Sequence, residues 1–246
     1  MGKQNIITFS PTSEIAYFPP QPASKVLPEW YKESESYIGG KRQRTSESAL
    51  NGLGVSTVKK CMPVFDALTA GYILFTQTDV AFSNEYNEDG TFRNKFWAYP
   101  QSDETFNPLS THNANQLPKH PRLVEKLGGA AKFEQIFSIK TPPGYSCLFI
   151  HPVHREDLGF RIFEGVVDTD TYHGPVNFPF EFTDPDFEGV IPAGTPVAQV
   201  IPFKREEWEM EINKSVSDVH HEQKRKMNLS WWDGYKKNYW HKKSFR

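Results

Sequence analysis

The sequence predicts a mainly β fold: a jelly-roll or β-barrel core with an irregular N-terminal arm and a helical C-terminal extension. Three observations carry that reading. Aromatic residues make up 14% of the 246-residue chain, and prolines number 19. Aromatic side chains suit pleated, half-buried strands, and Pro-rich connections cut a chain into short pieces. Between residues 72 and 204, short apolar and alternating runs recur between Pro/Gly turns, with no internal repeat of fixed period. Many short strands of this kind point to a barrel or jelly roll.

The elements follow in order. Residues 1–55 read as an extended arm and polar loop. "YFPPQPASKVLPEW" carries Pro19, Pro20, Pro22 and Pro28, which suit polyproline-like chain, with Trp30 and Tyr31 as anchors. "SESYIGGKRQRTSESALNGLG" is a polar loop with a basic cluster at Lys41, Arg42 and Arg44. Residues 56–206 read as the β domain. It opens on a short helix in "STVKKCMPVFDALTAG", with Ser56 as cap, Pro63 as an interruption and Gly71 as stop. A strand follows over 72–82, then a "NEDG" hairpin turn and a return strand over 91–99. A short helix is expected in "HPRLVEKLGG". "KFEQIFSIK" and "YSCLFIHPV" read as strands about a "TPPG" turn. "FRIFEGVVD" and "VNFPFEF" read as the two arms of a hairpin around an acidic turn, and "GVIPAGTPVAQVIPFK" as another strand-turn-strand unit. Residues 207–246 read as a helical, basic and aromatic extension, with helix from Glu206 onward.

Charge and cysteine content bound the function. From Lys224 to Arg246 eight basic residues face one acid, Asp233, so this tail carries +7 and the remainder −9 of the formal net charge of −2. Such asymmetry speaks about partners, not fold. Trp231, Trp232, Tyr235, Tyr239 and Trp240 interleave with the tail lysines. That composition suits single-stranded nucleic acid, a membrane surface, a neighbouring subunit, or docking on the chain's own body. Two cysteines, Cys61 and Cys147, make no disulfide framework and are expected to be buried free thiols. No apolar run approaches a membrane span and no signal peptide is visible, so the expected location is the host cell cytoplasm or a virion.

The order of motifs from 67 to 203 resembles the dUTPase and dCTP deaminase superfamily. "ALTAGYILF" resembles that family's Ala-Gly-Tyr-Asp-Leu strand. "IKTPPGYSCLFIHPVHREDLGF" resembles the segment leading into its Arg-Ser-Gly phosphate loop. "GVVDTDTYHGPVNFPF" resembles its nucleoside hairpin, Gly-Val-Ile-Asp-x-Asp-Tyr-Arg-Gly, and "IPAGTPVAQVIPF" its Gly-Asp-Arg-Ile-Ala-Gln-Leu strand. The resemblance covers a little over half the chain. It implies a jelly-roll-like fold, self-association (a trimer), and a site around Asp168, Asp170, Tyr172, His173, Gln199 and Arg155. Asp168 matches the water-activating carboxylate, with Mg²⁺ the implied cofactor only if a nucleotide binds. The chain also looks like proteins of tailed bacteriophages, including those of cyanobacterial hosts.

The departures are specific. Ile73 stands where the first motif has Asp, Thr171 is an extra residue before Tyr172, and His173 replaces an Arg. His154, Arg155, Glu156 and Asp157 occupy the phosphate loop, and two acids there repel a triphosphate. Thr195-Pro196 replaces a charged pair, while Gln199 is kept, and no Gly-rich lid follows. His151, His154 and His173, with Glu156 or Asp168, offer the residue types of a metal set, but their spacing favours ordinary hydrogen-bonded histidines, and no metal site is assigned. The expectation is a non-enzymatic phage-type protein acting in a virion, an assembly or an intracellular interaction. The alternatives are a nucleotide-binding or nucleotide-hydrolysing enzyme using the Asp168/Asp170/Tyr172 hairpin, and single-stranded nucleic-acid binding by the tail.

Overall fold

The structure, a computed structural model, describes residues 5–14, 18–38, 56–86, 88–90, 92–99, 107–113, 116, 129–184, 186–212, 218–229 and 234–246. For 92–99, 113, 129–130 and 227–229 it describes the backbone alone. The chain divides into two compact units, Met1–Ala23 with Gly71–Arg205, and Ser24–Ala70 with Glu206–Arg246.

The first unit is mainly β. In chain order its strands are β1 (Thr8–Pro11), β2 (Gln21–Pro22), β3 (Tyr72–Phe75), β4 (Asp79–Tyr86), β5 (Phe92–Tyr99), β6 (Leu109–Asn113) and β7 (Gly129–Phe133), followed by β8 (Phe137–Lys140), β9 (Tyr145–Ile150), β10 (Phe160–Ile162), β11 (Gly165–Val167), β12 (Phe178–Phe182), β13 (Gly189–Ile191) and β14 (Pro196–Lys204). They form sheets of order β1-β8, β10-β12-β7-β6, β11-β9-β14-β3-β2 and β13-β4-β5. All pairs among the described residues are antiparallel. Every sheet feeds one apolar core. Ile139, Leu74, Phe149, Val200, Phe133, Phe180, Val80 and Ile191 all belong to it. Its centre is aromatic: Phe133 and Phe180 stack at 4.1 Å between ring centroids, and Phe160 lies 5.0 Å from Phe133.

Several local expectations hold. The "NEDG" turn joins β4 to β5 in a continuous ladder from Asp79↔Tyr99 to Tyr86↔Phe92. "YSCLFI" is β9, and Cys147 is fully buried within it, where burial pushes its thiol pKa up. Others are corrected. The expected strand over 72–82 breaks at Thr76–Thr78, where Thr76 Oγ1 donates to Pro192 O at 2.8 Å and supports a change of sheet. The N-terminal segment is not wholly an arm, because β1 pairs with β8 from Thr8↔Lys140 to Pro11↔Phe137. The expected hairpin forms in its outer part, where Phe160–Ile162 pairs with Phe180–Phe182, but the acidic turn is not its tip. The turn's two flanking strands join different sheets: β11 pairs with β9, and β12 with β10 and β7. The helix expected in "HPRLVEKLGG" lies outside the described residues apart from Gly129, where β7 starts.

The second unit carries α1 (Glu29–Glu33), α2 (Met62–Thr69), α3 (Asp218–Leu229) and α4 (Gly234–Asn238). Of the two expected anchors, Tyr31 is buried at 3% exposure, whereas Trp30 is exposed. The helix expected at 56–71 is a 3-10 turn at Val58–Lys60 followed by α2. The cap is Thr57, whose side chain accepts from Lys59 N, and Ser56 instead bridges to Tyr37. Pro63 does not interrupt the helix. It sits in the first turn, where its missing N–H costs nothing. Cys61 is exposed, contrary to the buried thiol expected there. Residues 206–212 are neither helix nor strand, contrary to the helix expected from Glu206, and α3 spans Asp218–Leu229. The tail is partly docked: Trp240 Nε1 donates to both Asp66 oxygens at 3.1 and 2.9 Å, and Lys243 Nζ meets Asp66 Oδ2 at 2.6 Å. Lys236 and Lys243 also lie 6.0 and 5.9 Å from the Trp240 ring centroid. No helix of the described residues is long and apolar enough to cross a membrane.

Candidate functional site

The acidic turn is built by three chain segments that meet at one end of β9. The Pro142-Pro143-Gly144 turn starts β9, with Tyr145 N donating to Pro142 O at 3.2 Å and Gly144 at φ +84°. β11 ends at Val167, and the chain folds back on itself through Tyr172 N to Asp168 O at 2.8 Å. Thr169 is fully buried beneath the turn, with its hydroxyl 2.8 Å from that of Thr141 and 3.3 Å from Cys147 Sγ. β14 supplies the third segment: its register with β9 ends at Lys204↔Tyr145, and Arg205 N donates to Gly144 O at 2.8 Å.

That register delivers the Arg205 guanidinium to both acids. Nη1 donates to Asp170 Oδ1 at 2.9 Å, and Nη2 to Asp170 Oδ2, a bidentate fork. Nη1 also lies 2.9 Å from Ser146 Oγ, 3.2 Å from Tyr145 O and 3.2 Å from Asp168 Oδ1. Gly144 N adds a bond to Asp170 Oδ2 at 2.8 Å. The Asp170 side chain is only 6% exposed. Hydrogen bonding to Arg205 first, then to Gly144 N–H, holds its carboxyl down to about 2, and the same contact pushes Arg205 up. Asp170 is therefore a structural anion, with both oxygens occupied. Asp168 differs. Its Oδ1 accepts from Ser146 Oγ at 2.6 Å and from Arg205, yet its side chain is 62% exposed.

The pair makes stability depend on acid. The Asp170 value is depressed on folding, so its contribution is complete above the ordinary carboxyl value of 3.8 and disappears as pH falls through about 2. Arg205→Gln is expected to lower Tm at pH 7 and to remove this component of the acid transition. Thermal melts of wild type and variant from pH 7 to 2 check it: the two Tm curves should converge at the acid end. Curves that stay a constant distance apart down to pH 2 would mean that the fork does not supply the acid-dependent component.

Tyr172 is half exposed, and its hydroxyl donates to Pro175 O at 3.2 Å. Its ring covers Gly174, where an added Cβ would lie 2.6 Å from the phenol oxygen. His173 Nε2 lies 3.1 Å from Asp170 O. Asp168, Asp170, Tyr172 and His173 are thus brought together, as their spacing suggested.

Gln199 and Arg155 are not. Gln199 is 1% exposed and lies across from Ile150, at the other end of β9. Its Oε1 accepts from Val153 N at 3.1 Å and so braces the loop after β9. It lies six positions before Arg205 along the chain, roughly 20 Å of strand. Arg155 is turned onto Asp157 through three hydrogen bonds of 2.8 to 3.1 Å, which lower the Asp157 carboxyl. His151 belongs to this second cluster. Its Nε2 lies 3.2 Å from Arg155 O, and burial lowers its pKa. His151 and His173 therefore do not converge, and no group of three or more His, Cys, Asp or Glu suited to a metal occurs among the described residues.

Sequence reasoning missed Arg205, Ser146 and Gly144. The only signal was positional: a basic residue directly after a strand whose partner starts at a Pro-Gly turn.

No protein-family model matches the chain, and no curated protein matches it. Among solved structures it is similar to phage dUTPases. One is the dUTPase of phage phi11 of S. aureus, studied for its coordination of a structural Mg(II) ion: identity is 11%, the TM-score 0.37, and 87% of this chain and 100% of that chain are covered. Another is the Staphylococcus bacteriophage 80alpha dUTPase with dUpNHpp, at 13% identity and TM-score 0.36, covering 87% of this chain and 94% of that one. Another 80alpha dUTPase structure gives 11% identity and TM-score 0.38 over 89% and 95%. These similarities are of that size only, and the chemistry of the acidic turn rests on its own geometry.

Proposed function

We propose that the chain is a non-catalytic phage-type interaction or assembly module on a dUTPase-like β scaffold, acting in the host cytoplasm or in a virion. The observation that carries this reading is the closure of the acidic turn by Arg205. A phosphate-transfer site needs a carboxylate free to take a proton and cations free to meet phosphate. Here Asp170 is consumed by the fork, Oδ1 of Asp168 already faces two donors, and the guanidinium beside them is spent on carboxylates. A triphosphate brought to this turn meets two anions whose neutralising cation is already engaged. At the other end of β9, Arg155 is likewise tied to its own neighbour, Asp157.

A second reading keeps the turn as a nucleotide contact. It is favoured by Asp168 at 62% side-chain exposure and Tyr172 at 52%, a solvent-facing acceptor beside an aromatic face. Single-stranded nucleic-acid binding by the tail is supported less, because Trp240 and Lys243 are engaged with Asp66.

The test uses the full chain with dUTP and dCTP, each with Mg²⁺. The expected result is no pyrophosphate release, no deamination and no rise in Tm. A Tm rise that disappears in Asp168→Asn would transfer the conclusion to the second reading. Turnover lost in the same variant would overturn the proposal.

A further inference from the structure

Residues 206–212 read "EEWEMEI": Glu207, Glu209 and Glu211 alternate with Trp208, Met210 and Ile212. Period-two alternation gives an extended chain one acidic and one apolar side. Trp208 is 87% exposed, Met210 83% and Ile212 73%. Large apolar side chains grouped at this exposure mark an interaction surface. Glu207 to Ile212 make no hydrogen bond, ion pair or ring contact, main-chain or side-chain, among the described residues. Their main-chain donors and acceptors are thus open to a partner as well.

The same unit carries the complement. Lys224, Arg225, Lys236, Lys237 and Lys242 are exposed on α3, on α4 and just beyond it. Tyr235, 40% exposed, stands among them. An acidic, apolar strip and a set of exposed basic and aromatic residues therefore occur on one unit, with no hydrogen bond or ion pair between them among the described residues. A surface that is complementary to another part of the same molecule, and unsatisfied by it, is satisfied by a second copy.

We propose that Glu207–Ile212 is a docking arm that binds the basic C-terminal face of a second copy of this chain. The arm's glutamates meet the lysines of α3 and α4, and Trp208 is the apolar anchor. This rests on the reading of the protein as an interaction module and names the surface it uses. Trp is the residue most often found at the energetic centre of such contacts, and the ring of charge steers and orients the approach. Reciprocal docking closes a dimer, whereas one-way docking builds a ring.

Sedimentation of the full chain over a concentration series, at low and high salt, tests the proposal. Wild type is expected to associate, and more weakly at high salt. Replacing Trp208, Met210 and Ile212 together by serine should weaken association by about tenfold or more, with Tm of the dilute, dissociated chain unchanged because these side chains are exposed among the described residues. The sharper arm uses two charge-reversed chains: Glu207→Lys, Glu209→Lys and Glu211→Lys in one, Lys236→Glu, Lys237→Glu and Lys242→Glu in the other. Each alone should be monomeric, and their mixture should associate. A wild type that stays monomeric throughout overturns the arm. So does association indifferent to both sets of changes, although that result leaves an interaction module standing. Nucleotide turnover would instead remove the module reading without touching the arm, so the two failures are separable.

Discussion

Phe180→Ala is expected to cost ~3–5 kcal/mol of folding stability, the range for removing a buried aromatic ring and leaving a cavity. Phe180 is 2% exposed and joins sheets as well as filling space. Its ring stacks on Phe133 at 4.1 Å and meets Phe160 at 5.6 Å, Phe182 at 5.4 Å and Phe82 at 6.2 Å. Phe82 is on β4, whose sheet contains neither β12 nor β7, so the ring ties two sheets together. Neighbouring phenylalanines held on strands cannot collapse into the space without breaking their ladders, which places the expected cost well above a simple transfer term. Urea unfolding followed by far-UV circular dichroism measures it as a drop in midpoint at constant slope. Tyr172→Phe serves as the surface comparison. It removes only a half-exposed hydroxyl and should stay within about 0.5 kcal/mol of wild type. Equal losses in the two variants would mean that the aromatic cluster does not hold the sheets together.

The strands of this cluster were legible because their spacing is local information. "FPFEF" alternates whichever strand lies beside it, and the alternation alone identifies β12. The partner is not local information. "FRIFEGVVD" and "VNFPFEF" look like the two sides of a hairpin, and their outer parts do pair, Ile162 with Phe180, yet Val166 next to the turn pairs with Leu148, and Phe180 pairs on its other side with Ala131. Long-range pairing depends on which apolar faces meet in the core, and no turn residue records that. The site divides along the same line. Asp168, Asp170, Tyr172 and His173 are neighbours in sequence, and one turn gathers them. Arg205, 35 residues from Asp170, reaches it only because β14 pairs with β9 in a register that ends at Lys204↔Tyr145. Gln199 is carried to the opposite end by that same register. The helix expected from Glu206 has a similar origin. Four glutamates in a row of seven residues resemble an exposed helical face, while the period-two placement of Trp208, Met210 and Ile212 fits extended chain better.

Gly71→Ala is the second large effect and the one that reaches the site. Gly71 has φ +70° and turns the chain into β3, with its carbonyl accepting from Ala23 N at 3.0 Å. A Cβ built there lies 1.9 Å from Val200 O, 2.8 Å from Val200 C and 3.1 Å from Ile201 Cα. All three are backbone atoms of β14, paired to β3 at Val200↔Tyr72, so no side chain can move aside. The positive φ alone costs about 1–2 kcal/mol for a non-glycine residue. The collision adds to that, and the total is expected to exceed about 4 kcal/mol, a size that marks a named structural failure. Gly90→Ala separates the two terms. Gly90 has φ +77° and nothing within 4 Å of its added Cβ, so it should lose only the backbone term. Equal losses at the two positions would sink the collision account. Relief of the clash requires β14 to move away from β3, and Arg205 follows that strand directly. A Gly71→Ala protein that still folds should therefore loosen the Arg205–Asp170 fork, and its melting curve should lose part of the acid-sensitive component seen in wild type. If it folds with that component intact, β14 is not what holds Arg205 on the acidic turn.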